Sequence, residues 1–484
     1  MSLEVRNLAP KEVWNMFADL NAVPRPSKKE ERIIQFMVNF GEKLNLETFV
    51  DKVGNVIIKK PATKGLENRK TVVLQSHLDM VHQKNNDTNF NFNTQGIQML
   101  VDGDWVTANG TTLGADNGLG VAAIMAILAS KEIAHPNLEA LFTIDEETGM
   151  TGAMGLEAGI LKGDILLNLD TEEDDEIGMG CAGGVDITAT KTYTEVDVSD
   201  NFIAYKIEVK GLNGGHSGMD IIKGLGNANK IMNRIHYTAI NAIYICEVDG
   251  GSLRNAIPRE STSIITINKN DNHEVVTAFD AEIKNIKAEF KTIEPNLEIH
   301  ISTFETPKKS LDKNTSQSLI QAIYAAHNGV YRMSPAIKDL VETSNNIAKI
   351  SVKNGNIKIS CLTRSSLESG KQDLANSLKS AFELANFTVT FSGEYPGWQP
   401  NINSEIVEIV SKLYEDLHGE KAHISACHAG LECGILGQNY PKLDMISFGP
   451  TIRGAHSPDE RASISSTQKF WNFLKEVLKN TPIN

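Results

Sequence analysis

A chain of 484 residues is long enough for two or three folding units and for more than one sizeable core. Apolar residues at 41% and charged residues at 22% argue against disorder. Lys plus Arg number 47 against 61 Asp plus Glu, and the resulting charge of −14 argues against a general nucleic-acid binder or an anionic-membrane binder while suiting a site that gathers cations.

Taken in chain order, residues 11–20 carry an apolar stripe at helical spacing. Pro24 and Pro26 break the chain. Ser27-Lys-Lys-Glu30 then reads as a capping box that opens a helix through Ile33, Ile34, Phe36 and Met37. Two short strands are predicted at 46–50 and 55–58, joined at Val53-Gly54-Asn55. Apolar runs at 72–75, 138–144 and 165–169 follow, with a small-residue helical stretch at 119–129 between the first two. A fourth run lies at 445–448, and a helix at 468–478 closes the sequence. Strand alternating with helix predicts a largely parallel sheet covered on both faces.

Between about 185 and 395 the texture changes. Strands such as 202–209 and 261–268 alternate apolar and polar residues, as antiparallel sheets with one wet face do, and helices are predicted at 226–237 and 371–385. The pattern occurs before and after about Ser310, which suggests a doubled unit. The predicted fold is therefore α/β: a split catalytic domain at 1–188 and 397–484, with a mostly parallel mixed sheet flanked by helices, and an inserted α+β domain at 189–396.

No run reaches the ~18 apolar residues of a membrane span. Met1-Ser-Leu-Glu-Val-Arg lacks the basic start and apolar core of a signal peptide. Cys181, Cys246, Cys361, Cys427 and Cys433 are scattered, without a C-x-x-C pair, and read as buried small hydrophobes of a protein in a reducing cytoplasm.

The chemistry lies just beyond the apolar runs. Ser76-His77-Leu78-Asp79 follows the first, Asp145-Glu146-Glu147 the second and Asp170 the third, while His456-Ser-Pro-Asp-Glu460 comes soon after the fourth. Ligands of open parallel sheets bind beyond the carboxyl ends of strands, so four such clusters point to a polynuclear metal site. In His77-x-Asp79 the two side chains point the same way, and Asp79 can accept from one ring nitrogen while the other meets the metal. Asp116, in Gly114-Ala-Asp-Asn-Gly118, either bridges two cations or caps the helix that follows. Of the adjacent Glu146 and Glu147, one can bind metal while the other faces a water to be activated. Three acids in a row repel unless a cation or a proton is present. The run from Glu172 to Glu176 reads as a solvated loop. Imidazoles from His77 and His456 with carboxylates from Asp116, Glu147 and Asp170 suit catalytic zinc, and manganese or cobalt as well.

Gly211-Leu-Asn-Gly-Gly-His216-Ser-Gly218 lacks both the G-x-G-x-x-G spacing and a Walker lysine, which excludes a phosphate loop. His216 is either a donor to a developing oxyanion or a polar loop histidine. The other, isolated histidines, His236 among them, read as structural.

Ser76-His-Leu-Asp-Met-Val81, Gly114-Ala-Asp-Asn-Gly118, Asp145-Glu-Glu-Thr-Gly149 and the late His456 resemble the co-catalytic zinc peptidases that include aminoacylase, carboxypeptidase G and peptidase T. Gly178-Met-Gly-Cys-Ala-Gly-Gly184, Gly250-Gly-Ser-Leu-Arg-Asn-Ala-Ile-Pro258, Tyr395-Pro-Gly-Trp-Gln-Pro400 and His428-Ala-Gly-Leu-Glu-Cys433 are similar to the branch of that family that cleaves aminoacyl-histidine dipeptides. The likeness covers essentially the whole chain. It implies two Zn2+ per subunit, with Mn2+ or Co2+ as alternatives: His77 and Asp170 on one, Glu147 and His456 on the other, and Asp116 between them, often with a cis peptide to Asn117. It further implies that Glu146 is the general base and acid and that Asp79 orients His77. His216, Asn255 and Arg364 would meet the substrate, with Arg364 gripping its carboxylate. The inserted domain would serve as lid and dimer surface of a cytoplasmic homodimer acting on small dipeptides. The rival readings are deacylation of N-acyl amino acids on the same site, and metal or peptide binding without turnover.

Overall fold

The computed structural model describes residues 4–484, which form two compact units. The first comprises the chain up to Gly180 with Pro400–Ala426 and Leu431–Asn484, and the second Cys181–Gln399 with Cys427–Gly430.

The first unit is built on an eight-stranded mixed sheet. Its order is Glu47–Val50, Val56–Lys60, Leu138–Thr143, Val72–His77, Ile165–Asn168, Asp444–Ser447, Glu176–Cys181 and His423–Cys427. The four predicted apolar runs are the parallel strands, with Val72 beside both Leu138 and Ile165, and Asp444 beside Ile165. Their carboxyl ends therefore share one edge. Val72–His77, Leu138–Thr143 and Ile165–Asn168 are buried along their whole lengths, which explains why they read as continuous runs rather than alternations. The hairpin Glu47–Val50 with Val56–Lys60 joins antiparallel at one side, and Gly178 faces Ser447 antiparallel on the other.

Helix Ala115–Ala129 packs on Val72–His77 and against helix Lys11–Asn21. It is apolar all round and buried nearly throughout, as a helix enclosed within a core must be. Gly120 lets it lie close to the sheet: a Cβ there would sit 2.5 Å from Ser76 Oγ and 2.6 Å from Leu169 O. The closing helix Ile464–Lys479 adds Phe470, Trp471, Leu474 and Val477 to the same core, and Ser463 caps it by accepting from Ser466 N. Helix Glu31–Lys43 forms as expected, but Ser27 does not cap it. Lys28 turns with φ of +70°, and Ser27 Oγ instead donates to Met80 O at 3.1 Å while Glu30 accepts from Lys28 N.

A separate four-stranded sheet runs Ile452–Arg453, Arg461–Ser463, Trp105–Ala108, Met99–Asp102. Its first two strands pair antiparallel and flank the loop that holds His456. His456 therefore does not descend from the fourth parallel strand, as the sequence suggests, but from this hairpin.

The second unit is a nine-stranded sheet, all of whose pairings are antiparallel. Phe202–Lys210, helix Ala228–Thr238, Ile243–Gly250, Ser261–Asn268, helix Asn272–Phe290 and Glu298–Phe304 make one β-α-β-β-α-β motif. Gly183–Thr192, helix Lys313–Ala325, Val341–Lys353, Asn356–Ser365, helix Glu368–Leu384 and Thr388–Tyr395 make another. The doubling is real, but Ser310 is not its boundary. The second copy takes its first strand from before the first copy, because Gly183–Thr192 pairs with Asn356–Ser365 and Thr388–Tyr395. Among the described residues no helix is long and apolar enough to cross a membrane.

Candidate metal centre

His77 is the last residue of its strand, level with Thr143. Glu146 and Glu147 open a short helical turn just beyond Leu138–Thr143, and Asp170 lies just past Ile165–Asn168. Asp116 reaches the same edge from the start of helix Ala115–Ala129. Gly114, at φ +69°, turns the chain there, and a Cβ on it would lie 2.6 Å from the Arg25 guanidinium. The Asp116–Asn117 peptide is cis. Asp116 itself has extended ψ of 111°, and its carboxylate faces imidazoles instead of capping the helix.

Those two imidazoles divide Asp116 between them. His77 Nε2 is 3.2 Å from Asp116 Oδ1, and His456 Nε2 is 3.2 Å from Asp116 Oδ2. Asp170 Oδ1 lies 3.6 Å from His77 Nε2, and Glu147 Oε2 lies 3.0 Å from His456 Nε2. Donors about 2.0 Å from a tetrahedral ion stand about 3.3 Å apart, so both triads, His77–Asp116–Asp170 and Asp116–Glu147–His456, have the spacing of a cation's ligands. Glu147 Oε1 and Asp170 Oδ1 are buried without a hydrogen-bond partner, as unshared ligand atoms would be. Glu146 Oε2 stands 4.0 Å from His77 Nε2, at the edge of the first triad.

The supporting contacts are specific. His77 Nδ1 lies 3.2 Å from the main-chain carbonyl of Asp79 and 3.4 Å from its carboxylate, which accepts the main-chain N–H of Glu146 at 3.0 Å and of Glu147 at 3.3 Å. One residue thus orients a ring and holds the turn that carries both glutamates. Arg25, fully buried, donates to the carbonyls of Leu78 and Asp79 at 3.0 Å and of Gly114 at 2.5 Å. Glu460 accepts four main-chain N–H groups from Leu113 through Asp116. Glu432 accepts from Gln75 at 2.6 Å and Thr143 at 2.7 Å beneath the site. Asp145 takes no part, because its carboxylate is engaged by Lys28 Nζ at 2.5 Å and by Thr148 and Thr151. The repulsion expected from three adjacent acids is therefore relieved for Asp145 by a lysine.

Negative charge dominates what remains. Burial pushes Asp170 up to about 6, against the pull of His77 and with Asp116 and Glu147 adding to the rise. Burial carries Glu146 well above the carboxylate range, opposed by His77 and reinforced by Asp170, Glu432 and Glu147. Asp116 is held well below it, because His456 and His77 outweigh its burial. Hydrogen bonds donated to Asp116 and Glu147 lift His456 to about 11, against its burial. Glu172 lies in a loop but is half-buried rather than fully solvated, and burial, with Asp116 and Asp170 nearby, pushes it up to about 8. Such a surplus of buried carboxylates is what divalent cations neutralise.

The predicted substrate residues lie in the second unit. His216 and Ala256 pair across a two-residue ladder, Asn255 accepts from Ser217 N at 2.8 Å through its carbonyl, and its side chain is exposed. His216 Nδ1 accepts from the N–H groups of Gly218 and Met219, so the ring's proton sits on Nε2, the tautomer that can donate. Burial and the neighbouring Arg364 push His216 down to about 4, which keeps it neutral. Arg364 is buried and donates to Tyr395 Oη at 2.7 Å, with its Nε left unpartnered. His428 Nε2 lies 2.8 Å from Ser344 Oγ.

Arg25, Glu432, Glu460 and Tyr395 carry the supporting contacts and had no assigned role in the sequence reading. Glu432 and Tyr395 fall inside the motifs that carry the resemblance, and Glu460 closes the His456-Ser-Pro-Asp-Glu460 cluster, which are the signals that could have singled them out. Arg25 shows only as the residue between two prolines.

Residues 73–480 match Peptidase family M20/M25/M40, and the chain belongs to that family of metal-dependent hydrolases with dinuclear centres. Across 482 residues, 99% of each chain, it is 42% identical to the cytosol non-specific dipeptidase of Escherichia coli K12. The crystal structure of aminoacylhistidine dipeptidase from Vibrio alginolyticus superposes with a TM-score of 0.94 at 44% identity, covering 100% of this chain and 99% of that one. Aminopeptidase PepT from Bacillus cereus shares the fold at a TM-score of 0.58 and 16% identity, with 98% of each chain covered.

Proposed function

We propose that the chain is a dinuclear metal-dependent dipeptidase that hydrolyses Xaa-His and related dipeptides, β-alanyl-histidine included. The observation that carries this reading is Asp116, whose two oxygens face two imidazoles backed by separate carboxylates, with Glu146 adjoining. The full-length identity to the Escherichia coli and Vibrio dipeptidases supports the substrate class.

His77, Asp116 and Asp170 would hold one cation and Asp116, Glu147 and His456 the other, two Zn2+ per subunit with Mn2+ or Co2+ as alternatives. When bound, such ions polarise a scissile carbonyl and make water acidic enough to attack near neutral pH. Glu146, raised by its surroundings, is suited to take a proton from the attacking water and to give it to the leaving amine. Asp79 fixes the His77 ring and the Glu146 main chain. In the second unit, neutral His216 offers an Nε2–H to an oxyanion, Arg364 a guanidinium to a dipeptide's carboxylate, and Asn255 an exposed amide. A cytoplasmic homodimer formed through the second unit completes the reading.

The test is histidine release from a panel of Xaa-His dipeptides, before and after chelation and with zinc, manganese and cobalt restored. N-acetyl amino acids and tripeptides run in parallel. Metal-dependent cleavage confined to dipeptides is expected. Cleavage of the acylated compounds instead would make the chain a deacylase, and cation binding without any turnover would refute the enzyme reading.

A further inference from the structure

Glu460 lies four residues beyond His456, at the end of the same hairpin loop. Its Oε2 accepts from Leu113 N at 2.7 Å and Gly114 N at 2.9 Å, and its Oε1 accepts from Ala115 N at 2.7 Å and Asp116 N at 3.2 Å. The carboxylate is buried. Some of these N–H groups belong to the first turn of helix Ala115–Ala129 and have no helical carbonyl to meet. Capping alone would explain them, but the surroundings add two facts.

The last N–H in the series belongs to Asp116, the residue shared between His77 and His456. The loop that supplies Glu460 also supplies His456, whose side chain is 58% exposed and is therefore not fixed by packing. The strands tie the same two loops together. Ala462 pairs with Val106, and the chain leaving Trp105–Ala108 reaches Leu113–Asp116 after the short turn Asn109-Gly-Thr-Thr112. Glu460 is thus the clasp between two loops that must meet in register for Asp116 and His456 to face one atom. The His77 side has its own ties: Arg25 grips Leu78 and Asp79, with one further bond to Gly114 of the clasped loop, and Asp79 faces the His77 ring.

We infer that Glu460 is a positioning residue that sets Asp116 against His456, and so governs chiefly the cation site formed by Asp116, Glu147 and His456, while the His77 site, which shares Asp116, keeps its own ties through Arg25 and Asp79. This rests on the two-cation reading above. Glu460→Gln is the discriminating change, because it keeps the shape but presents one oxygen and one NH2 to four donors. Half of the contacts become donor against donor.

The experiment is zinc titration of the chelator-stripped full chain, by calorimetry and by competition with a chromogenic chelator. A His456→Ala chain marks which binding step belongs to the His456 site. The wild type is expected to bind two ions. Glu460→Gln should bind the His456-site ion roughly 10–100-fold more weakly, the usual scale for residues that orient metal ligands, with a clearly smaller loss at the His77 site that shares Asp116. Glu460→Asp, which restores two acceptor oxygens, should recover part of the loss. It also serves if Glu460→Gln does not fold. Unchanged affinity at both sites with only a lower melting temperature would reduce Glu460 to a helix cap and overturn the inference, as would equal weakening of both sites. A wild type that binds fewer than two zinc ions would instead overturn the two-cation reading itself.

Discussion

At Asp79 a single carboxylate faces the Nδ1 of His77 and accepts the N–H of both Glu146 and Glu147. Asp79→Asn keeps the shape but must turn an NH2 toward one of these partners. Cation affinity or turnover is expected to fall roughly 10–100-fold, measured by zinc competition and by dipeptide hydrolysis. Wild-type values for both would show that the ring and the turn are held by other contacts. Residues of this kind were legible in the sequence because they sit where strands end and carry titratable groups. The roles of Arg25 and Glu460 were not, since nearly all that they bind is main chain, and main-chain N–H and C=O groups leave no mark on a sequence. Asp145 misled for the opposite reason: its neighbours in sequence are acids, but its neighbour in space is Lys28.

Among the elements, the buried strands and helix Ala115–Ala129 follow directly from apolar runs and small residues. Gly120 shows why smallness matters. Gly120→Ala would place a methyl 2.5 Å from Ser76 Oγ and 2.6 Å from the carbonyl of Leu169, and a backbone atom cannot swing aside. The helix must then lift from the strand that carries His77. A loss of roughly 1–3 kcal/mol is expected from such overpacking, read as a lower urea midpoint at unchanged slope. An unaltered midpoint would mean the helix has room to shift. Two elements were misread. The turn at Lys28 diverts Ser27 from its helix, which a capping motif cannot reveal. The doubled unit borrows a strand from across the boundary, because pairing joins residues far apart in sequence.

For the molecule as a whole, the chain divides into an α/β unit with the candidate metal centre and a doubled antiparallel unit, and the second carries its own response to pH. In the second unit burial pushes His236 down to about 4, burial with nearby Arg364 does the same for His216, and burial with Arg364 and His216 pushes His428 to about 3. An exposed histidine titrates near 6.5, so between that value and about 4 the unfolded chain takes up protons that the folded unit refuses. These groups therefore favour the folded state at neutral pH and cost stability as pH falls through that window. The urea midpoint of this unit should be lower at pH 5 than at pH 7.5, and His236→Phe should narrow the difference. An equal drop in that variant would place the sensitivity elsewhere.

Hydrolysis by this chain depends, on the proposed mechanism, on Glu146 as the proton carrier beside a two-cation centre. The decisive measurement is turnover of an Xaa-His dipeptide by Glu146→Gln beside the wild type, with bound cations counted in the same samples. Turnover should fall by roughly two to four orders of magnitude, the scale of general acid–base catalysis, while two cations stay bound. Near-wild-type turnover with both cations in place would contradict it.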